Sequence, residues 1–149
     1  MAEVLFYHLT ESTLEDALPA LLEKSVQRGW RVVVQTGTEE RRDALDAYLW
    51  TYRDESFLAH ATDREAYPED QPVLLTTGQG NANGARIRFM VDGAVPPDLG
   101  GYERAVFMFD GHDVGQVEAA REHWKAAKGG GHAVTYWQQT PERRWERKA

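Results

Sequence analysis

Apolar positions fall into short continuous runs separated by amphipathic stretches, a pattern that alternates strand and helix. Val4 to Leu9 is an apolar run containing Phe6 and Tyr7. Thr10-Glu11-Ser12 closes it, so it reads as a buried strand. Ser12 and Glu15 have capping-box spacing, and Leu14, Leu18, Leu21, Leu22 and Val26 form the inner stripe of the following helix. Pro19 conflicts with a helix interior, because proline removes one hydrogen bond and crowds the preceding turn. One irregular turn is therefore expected before it, then a main helix over Pro19–Arg28, stopped by Gly29.

The run Trp30 to Gln35 predicts a second buried strand, parallel to the first across the helical crossover. Leu45, Tyr48 and Leu49 share one face of a helix over Glu39–Trp50. Residues Ala61 to Gln71 have no period and read as a loop. Further strands are expected at Pro72–Thr77, Arg86–Val91 and Arg104–Phe109, continuous enough in apolar character to be central. Pro96-Pro97 and Gly100-Gly101 mark a turn-rich connection. A helix over Val114–Lys128 ends at Gly129-Gly130-Gly131, and a last short strand covers Ala133–Gln138. The charged segment from Thr140 is expected to be a loosely held tail. Together these elements predict one domain over 1–149. It is an α/β, three-layer, Rossmann-like domain with a mostly parallel central sheet and helices on both faces.

Composition narrows the function. The 149 residues suffice for a sizeable core, and no apolar run approaches a membrane span. There is no cysteine, which removes thiolate chemistry and disulfides and suits a cytoplasmic protein. The start, MAEVLFYHLT, lacks a basic region followed by a long apolar run, so no signal peptide is expected. A formal net charge of −7 argues against strong direct binding of nucleic acid, which needs a basic footprint. The segment with Arg143, Arg144, Arg147 and Lys148 is the one place where such contact could occur.

Several stretches carry candidate chemistry. Gly78 to Gly84 follows a strand as a dinucleotide-binding loop would. Its third glycine is one place late and a strand follows it, so a glycine-rich hairpin turn is expected. Asp110-Gly111-His112-Asp113 ends a strand where open α/β sheets place ligands. A carboxylate beside an imidazole could hold a metal or move a proton, but Asp113 also makes a good helix cap, the expected role. A small Rossmann-type nucleotide binder or enzyme using Gly78–Gly84 with Asp110 and His112 is therefore one reading of this chain. No metal site, cofactor or catalytic residue is expected on the preferred reading. On the last helix Arg121, Lys125 and Lys128 form one ridge with Trp124 beside it. Cations flanking an indole suit a short acidic peptide bearing an apolar residue, while cations near a helix end are also ordinary dipole complement. Spacing alone leaves both standing. Trp50 points about 140° away from Leu45, onto the polar side of its helix. With Tyr52 and Phe57 it could centre a protein-binding surface, for a partner or a second copy of the chain, or it could fold back as a lid over the helix end.

Leu49-Trp50, Ser56-Phe57 and His60 resemble the signature of the chi subunit family of bacterial DNA polymerase III, where a leucine–tryptophan pair, Ser-Phe and a closing histidine recur. The opening Phe6-Tyr7-His8-Leu9 and the stretch Gly29 to Val34 are similar to the same family. Ala59 stands where proline is common. The resemblance implies an accessory, non-catalytic subunit in DNA replication that links the clamp-loader complex to single-stranded DNA-binding protein. It implies that Trp50 and Phe57 dock the psi subunit or an equivalent clamp-loader component, and neighbouring Tyr52 is expected to share that surface. It also implies that Arg121, Trp124 and Lys125 receive the acidic C-terminal tail of single-stranded DNA-binding protein, and Lys128, on the same ridge by spacing, is expected to join them. Val117 occupies a position where the family often has a lysine.

Overall fold

The computed structural model describes residues 2–51 and 58–149. In chain order they form β1 (Glu3–Leu9), α1 (Leu14–Gln27), β2 (Val32–Gln35), α2 (Glu39–Thr51), β3 (Ala61–Thr62), β4 (Val73–Thr76), β5 (Ile87–Met90), β6 (Arg104–Asp110), α3 (Val114–Gly129), β7 (Ala133–Gln139) and β8 (Trp145–Arg147). The sheet runs in the order β3-β4-β2-β5-β6-β1-β7-β8. Every pairing among these strands is parallel except β7 with β8. The expected α/β layering is present. Leu14, Leu18 and Leu22 of α1 and Leu45 and Leu49 of α2 pack on one face with Val32, Val34, Leu75 and Phe89. Ala120 and Ala127 of α3 pack on the other, over Val4, Phe6 and Phe107.

Four local expectations are corrected, the first being that Ala61–Thr62, expected within a loop, pairs in parallel with Leu74 and Leu75 as β3. Helix α1 runs unbroken through Pro19. Its capping box is Thr13 with Asp16, one residue later than expected: Thr13 Oγ1 accepts from the Asp16 amide at 3.2 Å and Asp16 Oδ2 from the Thr13 amide at 3.4 Å. Ser12 is held by Gln139 instead, which donates to Ser12 Oγ at 3.0 Å. Proline forgoes one backbone bond, but its fixed φ suits the helix, and the leucines on both sides of it lie in the core.

The stretch Gly78 to Gly84 is not a hairpin turn, since β4 and β5 both pair with β2 and not with each other. It belongs to a helix-free crossover on the α3 side. Fully buried Arg88 anchors it, donating to the carbonyls of Gly78 (2.7 Å) and Gly80 (2.9 Å), to Gln35 Oε1 and to the Tyr102 hydroxyl. The guanidinium has no carboxylate among these partners and is satisfied wholly by neutral oxygens. Finally, the expected loose tail turns back as β8. Trp145 gives this strand its anchor, meeting the Tyr7 ring edge-on at 4.6 Å on the α1 face.

Candidate functional site

Helix α3 begins at Asp113, whose Oδ1 accepts from the Gln116 amide at 3.1 Å, as the sequence predicts. Its small residues Ala120 and Ala127 bring it close to the sheet, and Trp124 fills the edge of that contact. The indole meets Phe6 at 5.5 Å and Tyr136 at 5.8 Å, both edge to face. Beside it opens a cavity of about 370 Å³. Arg121, Trp124 and Lys125 form its helical wall with Val117, and His8, Phe109 and Tyr136 come from the sheet. Three of the four residues predicted on this helix thus share one concavity. Lys128 does not line it. Its ammonium lies over the Trp124 ring at 4.8 Å, a cation–π contact that supports the indole.

The charges are unequal. Lys125 pairs with Glu122 at 3.6 Å in an exposed contact worth little in water. Arg121 is exposed, and among the described residues no ion pair engages it. Burial pushes the Tyr136 hydroxyl pKa up and Arg121 opposes that rise, so the guanidinium field reaches the cavity floor. His8 stacks on Phe109 at 4.8 Å, and its Nδ1 lies 2.6 Å from the Tyr136 hydroxyl. Burial and the neighbouring His112 hold the His8 pKa down, with Asp110 opposing. Gly111 is required here, since a Cβ would overlap the His8 ring. Sequence reasoning missed His8, Phe109 and Tyr136. The available signal was strand alternation: Val4, Phe6 and His8 share a face, as do Val134 and Tyr136.

A second feature lies at the end of α2. Trp50 is 51% exposed, and its ring lies 4.3 Å from that of His60. Buried His60 ties two segments together: Nδ1 is 2.7 Å from the Leu58 carbonyl, and Nε2 is 3.1 Å from the Asp46 carbonyl and 3.3 Å from Asp46 Oδ1. Burial pushes the Asp46 pKa up and His60 opposes it. Tyr52 and Phe57, expected beside Trp50, lie outside the described residues.

The nucleotide-type reading has no assembled site. Gly78 and Gly80 turn their carbonyls onto Arg88. Strand β4, which leads into that loop, is three strand positions from β6, which ends at Asp110. That is about 14 Å at ordinary strand spacing. The β1–α1 loop, where doubly wound folds cradle phosphates, already has an occupant: the amides of Thr10, Glu11 and Ser12 all donate to Gln139 Oε1 at 3.0–3.2 Å. Asp110 accepts from the His112 amide, and His112 Nε2 lies 3.0 Å from the Thr10 carbonyl, so both serve the turn. Among the described residues no cluster of His, Asp or Glu could hold a metal, and no helix is long and apolar enough to cross a membrane.

Residues 1–135 match the family described as DNA polymerase III chi subunit, HolC. A probable DNA polymerase III subunit chi from Rickettsia prowazekii (strain Madrid E) is 25% identical over 99 residues, 66% of this chain and 58% of the relative. The DNA polymerase III subunit chi of Pseudomonas aeruginosa is 33% identical over 63 residues, 42% of this chain and 43% of the relative. The chain thus spans about half the length of the curated relatives it matches.

Proposed function

The chain belongs to the DNA polymerase III chi subunit family, and from that membership we propose that it is a non-catalytic accessory subunit of the polymerase III holoenzyme in DNA replication. In this reading it links the clamp-loader complex to single-stranded DNA-binding protein. The α3 cavity takes the acidic C-terminal tail of that protein, and the Trp50 end of α2 faces psi or an equivalent clamp-loader component. One observation carries the reading: Arg121, Trp124 and Lys125 line one cavity of about 370 Å³ whose floor is aromatic. Trp124 with Phe109 and Tyr136 offers apolar surface to a terminal side chain. Arg121 is the donor for the terminal carboxylate, by a charge-assisted pair that can be bidentate. Lys125, and Lys128 through Trp124, draw in the acidic residues before it.

The protein and its proposed ligand are both acidic, so only cations within a Debye length of about 8 Å favour the encounter. Val117 supplies no cation, and affinity is expected in the micromolar range. Fluorescence anisotropy with a labelled tail peptide tests this against wild type, Arg121→Ala and Arg121→Lys. Arg121→Ala should weaken binding about tenfold or more, and lysine should restore only part, because a point charge does not replace the fork. Equal affinity for all three proteins would remove α3 from the account.

A further inference from the structure

On the opposite face of the sheet, a smaller cavity of about 210 Å³ lies between the last turns of α1 and strands β1, β5 and β6. Its floor is apolar: Ile87, Phe89 and Val106 are all buried there. Its rim is cationic, formed by Lys24 and Arg28 from α1 and its cap and by Arg104 from the start of β6. Both arginines lie over one indole, Arg28 at 4.9 Å and Arg104 at 5.6 Å from the centre of Trp30. Trp30 therefore draws two like charges together. Among the described residues, Glu3 is the one carboxylate paired with this group, at 3.3 Å from Arg104 Nη2. Arg104 Nε is buried and has no hydrogen-bond partner among the described residues. The neighbouring Tyr7 phenol, whose pKa burial raises against the opposing pull of Arg104, is a donor at neutral pH.

A chain of net charge −7 thus gathers three cations, a phenol and an unused N–H around an apolar hollow. Dipole complement at a helix end accounts for Lys24 and Arg28. It does not account for Arg104, which comes from the sheet, or for the apolar floor. A single-stranded nucleic acid would need an aromatic face free for stacking, and here the guanidinium groups occupy the Trp30 face. The volume is below that of ordinary small-molecule sites, about 300–1,000 Å³, and suits one apolar side chain.

We propose that this cleft is a second acidic-peptide site, which seats an apolar residue over Ile87, Phe89 and Val106 and holds the adjoining carboxylate between Arg104, Arg28 and Lys24. The site uses no residue of α3 and stands independently of the tail-pocket reading.

The test is made in the full chain carrying Arg121→Ala, which weakens the α3 cavity, and it is read at Trp30, on the opposite face of the sheet from that cavity. The probe is the peptide N-acetyl-Asp-Asp-Leu with a free carboxylate, and the readout is the Trp30 indole N–H resonance, assigned with Trp30→Phe. The proposal expects a saturable shift in the millimolar range. It expects that shift to weaken at least fivefold when Lys24→Gln and Arg28→Gln, both exposed positions, are combined, and severalfold when the peptide carries a terminal amide. No shift, or a shift unaffected by the double substitution, would overturn it. Displacement of the peptide by an equal concentration of inorganic phosphate or of oligothymidylate would overturn the assignment to peptides.

Discussion

The α3 cavity and the end of α2 present two opposite kinds of surface. The cavity is concave: a floor of His8, Phe109 and Tyr136, a wall of Trp124, and Arg121 and Lys125 at the rim. The α2 end offers one half-exposed indole resting on a buried histidine. In the first, the aromatic groups are locked by edge and stacking contacts, and the proposed recognition elements are exposed cations. In the second, the proposed recognition element is the aromatic itself, which rests by a ring contact on a histidine that polar contacts hold in place. Electrostatics should govern the first surface and apolar burial the second, so salt, pH and substitutions should separate them.

The largest effect is expected at the apolar surface. An interface aromatic of this kind typically costs about 2 kcal/mol or more when truncated, about thirtyfold in affinity. Trp50→Ala should therefore remove association with the clamp-loader partner, by pull-down or calorimetry, while the melting temperature stays within a few degrees. Peptide binding at α3 should be unchanged. Unfolding of the variant would instead assign Trp50 to the core.

A gain of function sharpens the contrast. Val117 lines the α3 cavity and is only partly buried. Val117→Lys should strengthen tail-peptide binding about three- to fivefold at low salt. The gain should fade as salt rises, because it is exposed ion pairing. Association at the Trp50 surface should hardly respond to the same salt series.

The smallest effect is the response to pH. In the free protein the His8 pKa is held below 6.5, first by burial. A peptide carboxylate in the cavity favours the imidazolium and raises that value. The complex then binds more protons than the free protein between the two pKa values. Peptide affinity should rise modestly as pH falls through this interval and be flat above it. His8→Gln should flatten the profile; an unchanged profile would remove His8 from the site.

Strand and helix identities were largely legible because they follow from local period. The short continuous runs at Val32–Gln35 and Val73–Thr76 read as buried strands and are, and the Asp113 cap sits where Asp-x-x-Gln spacing places it. The errors have long-range causes. Ser12 has good capping chemistry, but Gln139, distant by 127 positions, competes for it. Gly78 to Gly84 has turn composition, but which strands pair is a property of the sheet, and β2 lies between β4 and β5. The segment after Thr140 looks solvated until Trp145 finds Tyr7.

The same division runs through the sites. Side chains three and four residues apart on a helix are neighbours whatever the helix packs on. The sequence alone therefore determined that Arg121, Trp124 and Lys125 share one surface, and that Trp50 stands off the apolar face of α2. The depth beneath those residues was decided by the fold. His8, Phe109 and Tyr136 meet because β1 is inserted between β6 and β7, joining segments about a hundred residues apart. Arg28 and Arg104 converge on Trp30 for a related reason: α1 crosses the face of β6. Strand order is set by the total burial of both sheet faces, a sum over the whole chain that no local window contains.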